Sequence, residues 1–214
     1  VTGGLQVTGN PDNIFEHFPN VDYFIQGESE FVLPELIDNL SIKGNLNQVL
    51  GLIYKNESGK IVINNKQPII SNLDQIPHYD YSLFDEQVFL RPYNGKVVRA
   101  VDYELSRGCI YACEYCVETV IQTYYGFDNI IPGSGTIIDA KKYLRHKSAN
   151  RIFEEISSLH QDFGIELFRC QDTNFLTIDQ STLQVLGELI HASKMDIMLY
   201  IETRPEGINK KSLA

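Results

Sequence analysis

The hydrophobic pattern of the chain changes period several times, and its clearest stretch is the last third. Ile152, Phe153, Ile156 and Leu159 recur at helical spacing behind Ser148, a good N-cap, and predict a helix over residues 148–161. Leu183, Leu186, Leu189 and Ile190 form one side of a second helix, and Thr177 with Gln180 fits a capping box at its start. Residues 165–170 and 196–201 read as strands, as do residues 97–105. From Val101 this last segment alternates, with Tyr103 and Leu105 set against Asp102 and Glu104. Residues 117–125 fit a short helix and residues 126–136, with three glycines and Pro132, a loop. The order strand, loop, helix, strand, helix, strand predicts a parallel βα sheet.

The first half is less periodic. Residues 1–9 are rich in Gly and Thr and read as a strand end with a tight turn, where Gly3 and Gly4 permit close backbone approach. A short helix over 12–18 and a strand over 21–26 follow. Phe31, Val32, Leu36, Ile37 and Leu40 then make a helical stripe with Pro34 in its first turn. This is the pattern of the closing part of an α/β domain. Residues 41–47 form a polar boundary. Strands over 49–54 and 60–64 flank Asn56-Glu57-Ser58-Gly59 and predict a hairpin. Residues 66–93 carry Pro68, Pro77 and Pro92 among Tyr79, Tyr81, Phe84, Phe89 and Tyr93. They read as an ordered linker, since aromatic content disfavours disorder.

Composition narrows the function classes. The 214 residues carry a net charge of −10, which argues against broad binding to nucleic acid. No run of about 18 apolar residues appears, so no membrane span is predicted. Lys141, Lys142, Arg145 and Lys147 cluster, and a solvated face is the expectation for them, with one side of a substrate cleft as the alternative. The chemistry concentrates at Ser106-Arg107-Gly108-Cys109-Ile110-Tyr111-Ala112-Cys113-Glu114-Tyr115-Cys116, where three of the four cysteines stand at Cys-x3-Cys-x2-Cys spacing. Thiolates are soft ligands for zinc, copper(I) or iron–sulfur clusters, and three are one short of a closed four-thiolate site. Such spacing fits a reducing, cytoplasmic compartment better than a disulfide scaffold. Cys170, inside a predicted strand, reads as a buried small hydrophobe. The histidines, at His17, His78, His146, His160 and His191, all lie away from the triplet in sequence. A zinc site completed by one of them through folding is the non-enzymatic alternative. Two further strand exits, at Gln171-Asp172-Thr173-Asn174 and Glu202-Thr203-Arg204, would share an edge with the cysteine loop in a parallel sheet.

The motif Cys109, Cys113 and Cys116, with Tyr115 before the last cysteine and Ser106-Arg107-Gly108 ahead, resembles the cluster motif of the radical S-adenosylmethionine (SAM) superfamily. The resemblance implies that the three cysteines hold a 4Fe–4S cluster whose fourth iron chelates SAM. One electron from the reduced cluster then cleaves SAM to methionine and a 5′-deoxyadenosyl radical. It implies a role for the backbone near Tyr115 in holding adenine, and sets Asp172, Asn174, Glu202 and Arg204 near SAM. A second resemblance lies in Val1-Thr2-Gly3-Gly4-Leu5-Gln6-Val7-Thr8, Asn20-Val21-Asp22-Tyr23 and Gly27-Glu28-Ser29-Glu30. These segments are similar to the tail end of a cobalamin-binding domain, in which Gly3, Gly4, Gly27 and Glu28 would line the groove for the cobalamin nucleotide tail. Leu73-Asp74-Gln75-Ile76-Pro77 resembles the linker that follows such a domain.

The implied fold is α/β. Residues 1–42 are the C-terminal end of a Rossmann-like cobalamin-binding domain, residues 43–96 a linker with a small β-hairpin, and residues 97–214 the first part of a radical SAM partial (β/α)6 TIM barrel. The start at Val1 and the three βα strands suggest an internal piece of a longer polypeptide. The implied activity is cobalamin-dependent methyl transfer to an unactivated atom of a small-molecule substrate, fed by an external electron donor such as flavodoxin or ferredoxin. Cobalamin-dependent rearrangement or cyclisation, and radical SAM chemistry without cobalamin, are the alternatives within the family.

Overall fold

Residues 1–208 are described in the computed structural model, which divides the chain into two compact units. One joins Val1–Ser71 to Ile110–Ala140; the other joins Asn72–Cys109 to Lys141–Ala214. Among the described residues no helix is long and apolar enough to cross a membrane.

In the first unit, α1 (Leu5–Gly9) and α2 (Ile14–His17) precede β1 (Tyr23–Ile25). The sequence predicts a strand end over residues 1–9, and only Thr2 behaves so, exchanging backbone hydrogen bonds with Tyr23 and Ile25 beside β1. Thr8 accounts for the helical turn after it, because both its amide and its hydroxyl donate to the Gly4 carbonyl, each at 3.0 Å. Helix α3 (Val32–Ser41) buries Val32 and Leu36 of its predicted stripe, while Phe31, Ile37 and Leu40 are exposed. The expected hairpin forms as β2 (Leu52–Lys55) and β3 (Ile61–Ile63), and β2 also pairs antiparallel with β1. Two small cores follow: Ile25, Leu36 and Leu52 centre one, and Val7, Ile14, Phe24 and Ile53 the other. Helix α4 (Glu118–Tyr125) completes the unit and ends on a left-handed Gly126.

In the second unit, residues 72–89 are ordered by three short 3-10 turns. Each opens on an Asx side chain: Asn72 accepts from the Asp74 amide, Asp80 from Ser82 and Asp85 from Gln87. Strand β4 (Leu90–Tyr93), which carries Pro92, lies at the sheet edge where a missing N–H is tolerated. It pairs antiparallel with β5 (Lys96–Tyr103). The predicted parallel sheet follows: β5 pairs in parallel with β8 (Leu167–Cys170), and β8 with β9 (Met198–Tyr200). A two-residue pair, β6 (Ser106–Arg107) with β7 (Arg145–His146), and a short helix α5 (Ala140–Tyr143) escape the hydrophobic pattern. Helix α6 (Ala149–Phe163) starts on Ser148, whose hydroxyl accepts from the Arg151 amide as the N-cap reading predicts. Helix α7 (Gln180–Ser193) departs from prediction: its N-cap is Asp179 and no side chain caps it. Thr177 is engaged elsewhere, donating to the Asn174 carbonyl at 2.6 Å within a 3-10 turn. Val101, Tyr103, Ile152, Ile156 and Phe168 centre the core between sheet and helices.

The basic cluster is not one solvated face. Lys141 and Lys142 are exposed, but Arg145 and Lys147 are buried. Lys147 Nζ donates to Glu155 at 2.7 Å and sits 4.7 Å from the Tyr103 ring centroid. Arg151 donates to the same carboxylate at 2.7 Å, and the Tyr103 hydroxyl donates to it as well. Burial opposes the Glu155 charge, but the bonds from Lys147 and Tyr103 outweigh it and hold the carboxyl below its usual range. The same burial, with Glu155 alongside, drives the Tyr103 phenol far upward.

Candidate functional site

The three strand exits of the second unit lie at one sheet edge because β5, β8 and β9 run parallel. Past β5, the short β6–β7 pair turns the chain, and the Lys147 amide donates to the Leu105 carbonyl at 2.9 Å. Arg107 pairs with Glu104 at 2.9 Å. Gly108 then takes φ +90°, and a Cβ there would stand 2.6 Å from the Tyr143 carbonyl. Only glycine fits this step into the cysteine loop. Cys109, which closes that segment, is buried.

Asp172, past β8, is 2% exposed. Its Oδ1 accepts the Ser106 amide at 2.5 Å and also the Ser106 hydroxyl, so one carboxylate oxygen fixes the residue three positions ahead of Cys109. Oδ2 is buried with no hydrogen-bond partner among the described residues. Burial pushes the Asp172 carboxyl up, and the Ser106 bonds work against that shift. Asn174 is 3% exposed, and its Oδ1 accepts the Thr203 hydroxyl at 2.7 Å and the Arg204 amide at 3.3 Å. The exits of β8 and β9 are thereby stitched together. Glu202 is exposed and contributes its carbonyl, which accepts the Phe175 amide at 2.9 Å. The Arg204 guanidinium donates to Glu206 at 2.6 Å. Ser106 and Thr203 are functional neighbours that the sequence shows only as members of their motifs. Small hydroxyls of this kind carry no pattern of their own.

Cys113 and Cys116 belong to the first unit. They open the helical turn that leads into α4: the Cys116 amide donates to the Cys113 carbonyl at 2.9 Å, and the Thr119 hydroxyl donates to the Cys116 carbonyl at 2.7 Å. Both side chains are partly accessible, and Tyr115 between them is 91% exposed. The loop is braced by residues 135–137, as Ala112 donates to the Gly135 carbonyl and Ile137 to that of Ile110, each at 2.9 Å. Among the described residues the cysteines form no disulfide, and no three or more His, Cys, Asp or Glu side chains are drawn into metal-holding geometry. The donor chemistry of the triplet nonetheless fits a soft metal cluster: three thiols within eight residues, with accessible side chains at two of them. Cys170 differs from them. Burial, with Asp172 nearby, pushes its thiol up to about 12, in keeping with a packing role.

The four glycine-turn residues also come together in the first unit. An added Cβ at Gly3 would stand 3.1 Å from the Ile25 carbonyl, and Gly4 takes φ +93° ahead of α1. Thr8, bonded to Gly4, accepts the Gly27 amide at 3.0 Å. Gly27 has φ +74°, and a Cβ there would press on Tyr125 Oη at 2.4 Å. The Glu28 amide donates to Tyr125 Oη at 2.9 Å, while Glu28 Oε2 accepts the Ile70 amide at 2.7 Å. The turn is thus fastened to α4, the helix that follows Cys116. Tyr125 is a partner the sequence does not announce, because an aromatic at a helix end is ordinarily packing.

No family model matches the chain. Over 211 residues, 99% of this chain, it is 29% identical to an uncharacterised methyltransferase of Pyrococcus horikoshii and covers 41% of that protein. It is 27% identical over 97% of its length to an anaerobic magnesium-protoporphyrin IX monomethyl ester cyclase of Synechocystis sp., covering 37% of it. Among solved structures it resembles the radical S-adenosylmethionine methyltransferase TsrM of Kitasatospora setae, determined with cobalamin and a 4Fe–4S cluster bound. That likeness has a TM-score of 0.63 at 19% identity, covering 99% of this chain and 38% of the other, and it shows a shared α/β fold. The chain therefore spans roughly two-fifths of the proteins it resembles.

Proposed function

We propose, on the premise that this chain resembles the cobalamin-binding radical SAM enzymes in sequence and fold, that it carries the cofactor-holding centre of such an enzyme, most plainly a methyltransferase. The observation that carries the reading is the Cys109-x3-Cys113-x2-Cys116 triplet directly past the first strand of a parallel βα sheet. Cys109, Cys113 and Cys116 would hold a 4Fe–4S cluster, leaving one iron without a protein thiolate. When bound, that group supplies an electron and a chelating iron for reductive cleavage of SAM.

The chain's own residues orient and enclose. Asp172 fixes Ser106 and so the start of the cysteine loop, while Asn174 fixes the Thr203-Arg204 exit. Glu202 and the backbone near Tyr115 would offer polar groups to SAM, and Asp172 Oδ2, which is buried, would have to be uncovered to join them. Arg204, already paired with Glu206, would have to exchange that exposed partner to hold a carboxylate. Gly3, Gly4, Gly27 and Glu28 would shape the cobalamin groove through their backbone, since the Glu28 carboxylate is engaged by Ile70. The domain reading, with a cobalamin-binding end over residues 1–42, a linker over 43–96 and the opening of a partial barrel from 97, belongs to this proposal. So do a small-molecule substrate and an external flavodoxin- or ferredoxin-like donor. The test is anaerobic reconstitution of the complete polypeptide with iron and sulfide, followed by assay of SAM-dependent 5′-deoxyadenosine formation and of bound corrinoid. Zinc without sulfide would overturn the reading. Cluster and SAM cleavage without corrinoid would leave a cobalamin-independent radical SAM enzyme.

A further inference from the structure

We infer that Gln122 of α4 is a positioning residue for the cysteine loop, fixing the backbone from which Cys113 presents its thiol. The inference rests on the reading above and adds to it a residue outside the cysteine motif. Helix α4 is inverted for a helix that packs on a core. Val120 is 38% exposed, and Val117, just ahead of the helix, is 48% exposed, whereas Gln122 is 1% exposed. A hydrophobe is the ordinary occupant of so buried a helical position, and an amide there must be paired within the fold. Gln122 Nε2 donates to the Tyr111 carbonyl at 3.1 Å. A carbonyl only accepts, so the amide must turn its nitrogen toward the loop. Tyr111 stands two positions ahead of Cys113.

The same helix face reaches the loop twice. Thr119 precedes Gln122 by three positions, a spacing that puts both on one side of α4, and its hydroxyl donates to the Cys116 carbonyl at 2.7 Å. The loop is thus tied to α4 ahead of Cys113 and again at Cys116. Tyr111 also bridges to Thr136, so the backbone that Gln122 grips is braced from a second segment. The helix is itself anchored at its far end. Past the left-handed Gly126, the Phe127 amide donates to the Gln122 carbonyl at 2.8 Å. Lys66 Nζ donates to the Tyr124 carbonyl at 3.0 Å, and Tyr125 Oη accepts the Glu28 amide at 2.9 Å. Gln122 therefore acts from a fixed arm. Three thiolates must meet one cluster at once, and groups that orient metal ligands are worth about tenfold to a hundredfold in metal affinity.

The experiment uses the complete polypeptide, reconstituted anaerobically with iron and sulfide, and follows the release of iron to the ferrous chelator bathophenanthroline disulfonate. Gln122→Met keeps an unbranched side chain with good helix preference and removes the donor. It should release iron about tenfold faster than the parent. Thermal unfolding of its metal-free form should fall by no more than about 5 °C. Thr123→Ala, at an exposed position of the same helix, should release iron at the parent rate. Equal release from the parent and Gln122→Met would overturn the role. So would fast release shared by Thr123→Ala, or fast release accompanied by a large loss of thermal stability. Gln122→Leu repeats the test if the Met variant does not fold, and failure of both to fold would assign the amide to the core alone. A parent that takes up no cluster sinks the proposed function and this role together. A parent whose cluster is held as firmly without the Gln122 donor sinks this role alone.

Discussion

The strand exits and the cysteine loop use polar chemistry in opposite ways. At the exits, Asp172 and Asn174 are almost fully buried, and each spends one side-chain oxygen on two donors of a neighbouring segment. In the loop, Cys113 and Cys116 open a backbone turn, with partly accessible side chains and a fully displayed Tyr115 between them. The exits are largely paired within the fold, with Asp172 Oδ2 the buried exception. The loop sets partly accessible thiols on a backbone turn. A buried polar group must be satisfied within the fold, whereas a ligand must keep its bonding capacity for its guest.

The largest expected break in that comparison is Cys113→Ala. It should lower SAM-dependent 5′-deoxyadenosine formation by more than about a hundredfold, because two thiolates cannot replace three. Its thermal unfolding should stay close to that of the parent, since the accessible side chain carries little packing. Normal deoxyadenosine yield would remove Cys113 from the ligand set.

Glu155→Gln should show the converse, a loss of stability. It leaves Lys147 buried beside a neutral amide and should cost about 3–5 kcal/mol in denaturant unfolding at neutral pH. The folded pKa of Glu155 is depressed, so its contribution is present above the unfolded value and lost as pH falls through the folded one. The difference between parent and variant should therefore narrow in acid. A constant difference at every pH would deny the carboxylate its electrostatic part.

Gly27→Ala comes next, at about 1–3 kcal/mol, from a left-handed φ and contact with Tyr125. Tyr125→Phe in the same background should relieve part of that cost. Asp172→Asn is expected to be smaller and of opposite sign with pH. The folded pKa of Asp172 is raised, so its favourable contribution is complete below the unfolded pKa and lost as pH rises through the folded one. The variant, measured by unfolding, should therefore gain on the parent as pH increases from about 4 to about 8. A gain that shrank over that interval would mean the Ser106 bonds dominate.

Much of this was legible in the sequence where period and punctuation agree. The stripe from Ile152 to Leu159 behind Ser148 gave helix α6, and the alternation after Val101 gave β5 with its core face. Strand β4 was hidden because Pro92 argues against a strand until it is known to lie at an edge. The capping box at Thr177 failed because a capping hydroxyl must accept a backbone amide at the helix start, whereas this one lies before the N-cap Asp179, in a 3-10 turn, and donates to the Asn174 carbonyl. Arg145 and Lys147 were read as solvated because burial of a cation depends on how the fold places its partners, here Glu155 on α6 and the Tyr103 ring on β5 for Lys147. Asp172 was visible as a strand-exit carboxylate, but its bond to Ser106 spans 66 positions and leaves no local trace.

The central claim is that Cys109, Cys113 and Cys116 hold a cluster with one iron open to SAM. Anaerobic iron and sulfide analysis of the reconstituted complete polypeptide, with electron paramagnetic resonance of the reduced protein before and after SAM addition, tests it most directly. About four irons and four sulfides per chain, and a spectrum that shifts with SAM, are the predicted result. A spectrum indifferent to SAM, or metal without sulfide, would contradict it.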